Sequence, residues 1–101
     1  FSLISSSAIS NDLDLGKEVA TTICATCHGV NGLATSGGNS ALTPNLAGQN
    51  KEYLIVKLKD YRSGKIKDHI MNLIAQNLRD DQIESVAAWY SSIKLTLEMP
   101  K

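Results

Sequence analysis

The hexapeptide Cys-Ala-Thr-Cys-His-Gly at residues 24–29 decides the fold predicted for this chain. It directly follows a segment in which Leu15, Val19 and Ile23 recur every four residues, which is the spacing of one face of an α-helix. Gly29 then ends this helix. The first predicted element is therefore an amphipathic helix that leads into a pair of cysteines and a histidine.

The spacing of Cys24, Cys27 and His28 is the pattern of c-type haem attachment. Two thiols three residues apart at a helix end can add to the two vinyl groups on one edge of a porphyrin, and the next residue brings its imidazole under the iron. A covalent link also prevents haem loss from a domain that is too small to enclose the ring. The sequence therefore predicts one covalent haem c with His28 as an axial iron ligand.

Three other uses of the cysteine pair fit the sequence less well. A thioredoxin-type disulfide requires a βαβ context, which the sequence lacks. A zinc site requires four ligands, and beyond Cys24, Cys27 and His28 the only strong candidate is His69. A purely structural disulfide leaves His28 without a role.

Met71, His69 and Met99 are the candidates for the second axial ligand. Met71 lies far enough after His28 for the intervening chain to pass around the ring edge and present its sulfur on the opposite face. Met99 lies in a terminal tail, which makes it a poor ligand, and His69 would give a bis-histidine site of lower potential. Since Met/His ligation is the common arrangement with this attachment motif, the prediction is Met71.

The rest of the chain indicates helices and no strands, so the predicted class is all-α. Residues 29–49 are rich in glycine and predict a long loop. A second helix is predicted from Asn50 or Lys51 to Gly64, and a short third helix around Met71. Its apolar stripe consists of Met71, Ile74, Ala75 and Leu78.

Asp12 or Asp14 can cap the first helix, and Asp80 or Asp81 the last one. Asp81 and Glu84 have the form of a capping box. The stripe of the last helix consists of Ile83, Val86, Ala87, Tyr90 and Ile93.

The composition is that of a globular domain, with 43% hydrophobic and 20% charged residues. Ten basic and ten acidic side chains cancel, which argues against a nucleic-acid-binding surface. Basic residues are concentrated between Lys51 and Lys67, either as a solvated helix face or as a docking patch. No apolar run is long enough to cross a bilayer, so we expect a soluble chain without a transmembrane segment.

From residue 13 to residue 93 the chain resembles the single-haem class I cytochromes c of bacteria, in particular the small periplasmic group that also forms each half of certain di-haem cytochromes. The resemblance rests on Gly-Lys-Glu at 16–18, the hexapeptide at 24–29, Pro-Asn-Leu-Ala-Gly-Gln at 44–49, Met-Asn-Leu-Ile-Ala-Gln-Asn-Leu at 71–78 and Val-Ala-Ala-Trp-Tyr-Ser at 86–91. It implies a cytochrome c fold in which four to five helices wrap around one covalent haem and the N- and C-terminal helices cross.

The same resemblance implies that Met71 is the distal ligand. It also implies that the Pro44 carbonyl accepts a hydrogen bond from His28, which would fix the orientation of the imidazole. Tyr53 and Tyr61 either bond to the haem propionates or are half-buried rings with hydrated hydroxyls.

At the helix crossing, the resemblance implies that Gly16 approaches an aromatic side chain, Trp89 or Tyr90. Periodicity places Tyr90 inward and Trp89 at the edge of the stripe. The chain departs from its relatives at Arg79, where they often have a serine cap, so the cap is expected to shift to Asp80 or Asp81.

The predicted function is one-electron transfer in a respiratory or related redox chain. With His28 and Met71 both on the iron, no coordination site is open to a substrate, so we expect a carrier and not an enzyme. The expected partners are redox proteins: a membrane reductase, a terminal oxidase or another redox enzyme. The alternatives are a haem subunit or domain of a larger oxidoreductase, and a ligand-binding haem protein with a labile sixth ligand.

Three segments are expected along the chain. Residues 1–10 form an N-terminal arm or signal remnant, residues 11–95 the cytochrome c domain and residues 96–101 a C-terminal tail. Because haem attachment of this kind follows export in bacteria, the resemblance implies a periplasmic protein. We expect a monomer or a weak dimer.

Overall fold

The computed structural model describes residues 13–34 and 43–101, and in these residues it contains helices and no strand. The all-α prediction is therefore confirmed. Helical residues run without a break from 13 to 28 and form α1; α2 spans Lys51–Ser63, α3 spans His69–Gln76 and α4 spans Asp80–Ser91. No helix among the described residues is long and apolar enough to cross a membrane.

Some predictions fall outside the described residues. These are the arm at residues 1–10, the candidate cap Asp12 and the middle of the glycine-rich loop, residues 35–42. Asp14 lies inside α1, so it does not cap this helix as proposed.

The winding of α1 changes just before the cysteine pair. Over Ala20–Cys24 the helix is a π-helix, which ends with a hydrogen bond from an N–H to the carbonyl five residues back. A π turn takes up more residues than an α turn. The buried face therefore continues from Val19 to Cys24, which packs against the core, and skips Ile23, which is 37% exposed. The prediction that Ile23 belongs to the buried stripe is wrong for this reason.

Two hydroxyl groups lie at this change of winding. Thr21 and Thr22 donate hydrogen bonds to the carbonyls of Lys17 and Glu18, each at 2.7 Å. Side-chain bonds of this kind compete with the backbone ladder and bend helices. They therefore support the turn at which α1 departs from α-helical winding.

The first and last helices cross at Gly16. A Cβ atom at this position would overlap the backbone carbonyl of Ser85 and lie 3.0 Å from the Cβ atom of Trp89. The predicted crossing is thus confirmed, with Trp89 as the aromatic residue at the contact. Tyr90 points into the core and is 2% exposed, as its periodicity predicted.

The ends of α2 follow their sequence signals. The Asn50 side chain accepts the Tyr53 N–H at 3.0 Å and caps the start of the helix. Gly64 follows the last residue in a left-handed conformation, with φ at 82°, as a helix-ending glycine does. Both predicted boundaries are confirmed.

The predicted cap of α4 is wrong. The helix begins at Asp80, and its capping position is Arg79, whose N–H donates to the side-chain oxygen of Gln82 at 2.9 Å. The Asp81 carboxylate instead pairs with the Arg79 guanidinium at 3.0 Å, and this hydrogen bond lowers the pKa of Asp81. No capping box forms between Asp81 and Glu84.

The core lies where α1, α2 and α4 meet the turn after α3. Its buried members are Val19, Ala20, Leu54, Ile55, Leu78, Ile83, Val86, Ala87 and Tyr90. Leu78 follows the end of α3 and is nevertheless only 4% exposed. Arg62 holds this turn: it donates to the Leu78 carbonyl at 3.2 Å and pairs with Asp80 at 2.6 Å, which lowers the pKa of Asp80.

Candidate functional site

A cleft of about 530 Å³, including its open mouth, brings together Cys24, His28, Tyr61 and Met71. The other residues of its wall, apart from Lys57, are apolar or aromatic: Leu46, Leu54, Leu58, Ile74, Leu78, Val86, Ala87 and Tyr90. A mostly apolar wall with a few polar groups is typical of cofactor sites. The chemistry of this lining therefore suits an apolar ring.

His28 is the last residue of α1, and its ring is fixed from outside the helix. Nδ1 lies 2.8 Å from the carbonyl oxygen of Pro44, so the predicted hydrogen bond is present. Because a carbonyl only accepts, Nδ1 carries the proton and the lone pair is on Nε2. A histidine held in this way is oriented to bind a metal through Nε2.

The loop that carries Pro44 is tied to the chain after His28. The N–H groups of Leu46 and Ala47 both donate to the Gly32 carbonyl, at 2.7 and 3.1 Å. Gly32 has φ at 78°, and a Cβ atom there would overlap the Ala47 backbone. The close approach of the two segments sets the position of the Pro44 carbonyl.

Two side chains of α4 hold the two residues that follow His28. The Tyr90 hydroxyl donates to the Gly29 carbonyl at 2.8 Å, and the Trp89 Nε1–H donates to the Val30 carbonyl at 2.9 Å. These bonds connect residues about sixty positions apart in sequence. The helix that crosses α1 thus also anchors the end of α1 that carries the histidine.

We expect Tyr90→Phe to destabilise the haem-loaded protein by about 1–2 kcal/mol, because a buried hydrogen bond is lost while the ring is kept. Guanidinium unfolding measures the difference. Ser63→Ala is the control, since it removes an exposed hydroxyl that also donates to a backbone carbonyl, and it should change the free energy of unfolding by less than about 0.5 kcal/mol. Equal stability of the Tyr90→Phe variant and the wild type would contradict a structural role for this bond.

The two cysteines differ in environment. Cys24 is half-buried in the cleft wall, and burial raises the pKa of its thiol to about 11; Cys27 is exposed and is not part of the wall. Within the described ranges, no three histidine, cysteine or acidic side chains lie close enough together to hold a metal. The zinc alternative therefore gains no support.

Of the three candidates for the second axial ligand, only Met71 lines the cleft. It is half-buried in the first turn of α3, which Asp68 caps by accepting the Met71 N–H at 2.8 Å. His69 is exposed, and Met99 is 76% exposed in the C-terminal segment.

Tyr61 lines the cleft and Tyr53 does not. The Tyr53 ring is instead covered by the Lys57 ammonium group, 5.5 Å from the ring centroid. Lys57 itself lines the cleft through its alkyl stem, a contact that sequence reasoning missed because it had counted Lys57 only as part of the basic stretch. The roles proposed for both tyrosines at the propionates stay predictions.

Sequence reasoning also missed Asp68 and Asn72 beside Met71. Asp68 carried a usable signal, because an aspartate directly before an apolar helical run predicts a cap. Asn72 carried none, because the carbonyls that it contacts belong to Tyr61 and Ile66, outside its own helix.

Comparison with known proteins places this chain in a family. Residues 13–94 match the family model of cytochrome c. Cytochrome c-554(548) of Halomonas halodenitrificans is 40% identical over 72 residues, which cover 68% of this chain and 82% of that protein. The thiosulfate dehydrogenase electron acceptor of Stutzerimonas stutzeri is 40% identical over 75 residues, which cover 72% of this chain but only 32% of that protein.

Among solved structures, cytochrome c4 of Acidithiobacillus ferrooxidans superimposes with a TM-score of 0.71 at 30% identity, over 80% of this chain and 49% of that one. This likeness confirms the predicted fold. The chain thus spans about half of the c4 chain and about a third of the thiosulfate dehydrogenase electron acceptor. On the match over residues 13–94, the chain belongs to the cytochrome c family of electron carriers, whose cofactor is one covalently bound haem c per domain.

Proposed function

We propose that this protein is a one-electron carrier in which Cys24 and Cys27 hold the haem covalently and His28 and Met71 are its axial ligands. The bound haem supplies an iron centre that gains and loses one electron. The observation that carries the proposal is the convergence of Cys24, His28 and Met71 on one apolar cleft. Since both axial positions are then filled by the chain, no position is open to a substrate, and we propose that the protein is not an enzyme.

The chain's own residues have three tasks in this proposal. His28 is held in one tautomer by the Pro44 carbonyl, 2.8 Å away, which raises its strength as a donor. Met71 is presented by a helix start that Asp68 caps. The apolar wall keeps water away from the ring and so tunes the reduction potential.

Optical spectroscopy of the haem-loaded protein tests the proposal. We expect a sharp low-spin c-type α band after reduction, a far-red methionine-to-iron band after oxidation and no carbon monoxide binding at neutral pH. A colourless protein with the mass of the bare polypeptide would refute it. Rapid carbon monoxide binding would instead favour a ligand-binding haem protein.

We propose redox proteins as partners and the bacterial periplasm as location. A relative named as the electron acceptor of thiosulfate dehydrogenase supports a dehydrogenase as one source of electrons. Because the chain matches only 32% of that relative, a second candidate is a domain or subunit of a larger oxidoreductase. Size-exclusion chromatography of a native extract separates the two, since a free carrier elutes as a small species.

We expect Lys57 to attract anionic redox partners, because its side chain lines the cleft while its ammonium group lies outside the apolar wall, over the exposed ring of Tyr53. With hexacyanoferrate(III) as oxidant, Lys57→Glu should slow oxidation of the reduced protein several-fold near 0.01 M salt. The slowing should be smaller at a salt concentration of about 0.15 M, because the Debye length is then about 8 Å instead of about 30 Å.

Lys17→Glu is the matched control, since it makes the same change of net charge on an exposed position of α1 away from the cleft. Equal slowing by both variants would show that net charge acts, and not the position of Lys57.

A further inference from the structure

Asn72 connects three pieces of chain around the start of α3. Its amide nitrogen donates to the Tyr61 carbonyl in the last turn of α2 and to the Ile66 carbonyl in the following turn, each at 2.8 Å. Its amide oxygen accepts the Asp68 N–H, also at 2.8 Å. A primary amide has two N–H donors and one carbonyl acceptor, and here both the nitrogen and the oxygen are engaged with backbone.

These bonds lie beside the ligand-bearing residue. Asn72 directly follows Met71, and Met71 and Tyr61 both line the cleft. Asp68, whose N–H donates to the amide oxygen of Asn72, also caps the helix by accepting the Met71 N–H at 2.8 Å. The backbone that carries Met71 is therefore fixed to α2 from one side and to its own cap from the other.

We propose that Asn72 is a positioning residue for Met71, which keeps the thioether on the iron by locking the first turn of α3 against the end of α2. This inference rests on the proposed function, because it takes Met71 as the axial ligand. A thioether is a neutral, weak donor, so its binding depends on how little the helix start can move. On this proposal Met71 leaves the iron together with the first turn of α3, and the Asn72 bonds are then lost. The bonds therefore stabilise the ligated conformer selectively.

Imidazole competes with Met71 for oxidised iron, and its apparent affinity reports the population of the dissociated conformer. In the haem-loaded protein we expect Asn72→Ala to raise that affinity at least tenfold, which corresponds to about 1.4 kcal/mol. Asn77→Ala is the matched control: Asn77 follows the same helix, its amide donates to the Leu73 carbonyl at 2.9 Å, and it is exposed. This control should change the affinity less than twofold.

The outcomes are distinct. If Asn72→Ala lowers the melting temperature but leaves the imidazole affinity at the wild-type value, the bonds are merely structural and the inference is overturned. If Asn72→Ala does not fold, the milder Asn72→Ser is measured in the same way. Its imidazole affinity is expected to lie above the wild-type value and below ten times that value, and an affinity equal to the wild type would overturn the inference. A wild-type protein without the far-red methionine band would instead refute Met71 ligation itself, and with it the proposed function.

Discussion

Replacement of Met71 by alanine is expected to abolish the far-red band of the oxidised haem-loaded protein, and to lower its reduction potential by a sizeable part of the roughly 0.8 V range that axial ligation spans. Carbon monoxide should then bind the reduced protein rapidly. The physical reason is that neither of the other two candidate ligands, His69 and Met99, lines the cleft. Redox titration and stopped-flow mixing measure the two effects.

Met99→Ala is the control for this prediction. It removes the same side chain from a position that is 76% exposed, and it should leave the spectrum and the potential unchanged. Loss of the far-red band in this variant, or its persistence in Met71→Ala, would move the ligand assignment away from Met71.

Replacement of Gly16 by alanine is expected to destabilise the protein by about 3 kcal/mol, at the upper end of the usual cost of overpacking. On a free helix surface the same change would stabilise the protein by about 0.5–1 kcal/mol. A tight helix crossing and an open helix surface at Gly16 therefore predict changes of opposite sign in the free energy of unfolding. The penalty is large because the methyl group would overlap the Ser85 backbone carbonyl, which no rotamer change can move aside. Guanidinium unfolding of the haem-loaded variant gives the difference.

Lys17→Ala provides the comparison on the neighbouring, exposed position of α1. It should change the free energy of unfolding by less than about 0.5 kcal/mol. A Gly16→Ala variant as stable as the wild type would mean that α1 and α4 do not approach each other as closely as described.

Local signals predicted the parts of the fold that depend on neighbouring residues. Asn50 and Gly64 mark the two ends of α2 because capping and the left-handed conformation involve only the adjacent turn. The cysteine and histidine spacing predicted haem c, the cofactor of the cytochrome c family, because the motif itself carries the chemistry. Gly16 was found through resemblance, since its role depends on a helix some seventy residues away.

The features that the sequence did not predict depend on geometry that neighbouring residues do not determine. The burial of Ile23 was predicted from α-helical periodicity, which a π turn interrupts. The bonds of Asn72, Trp89 and Tyr90 go to backbone carbonyls distant in sequence, which no periodic pattern encodes.

The π-helical segment of α1 has a consequence for how this chain is compared with its relatives. A widened turn is geometrically equivalent to one added residue in an otherwise regular helix. A homologous helix shorter by one residue over Ala20–Cys24 can therefore keep its crossing glycine and its first cysteine in the same spatial relation. A single-residue gap at this point of an alignment is thus compatible with conserved three-dimensional positions on both sides of it.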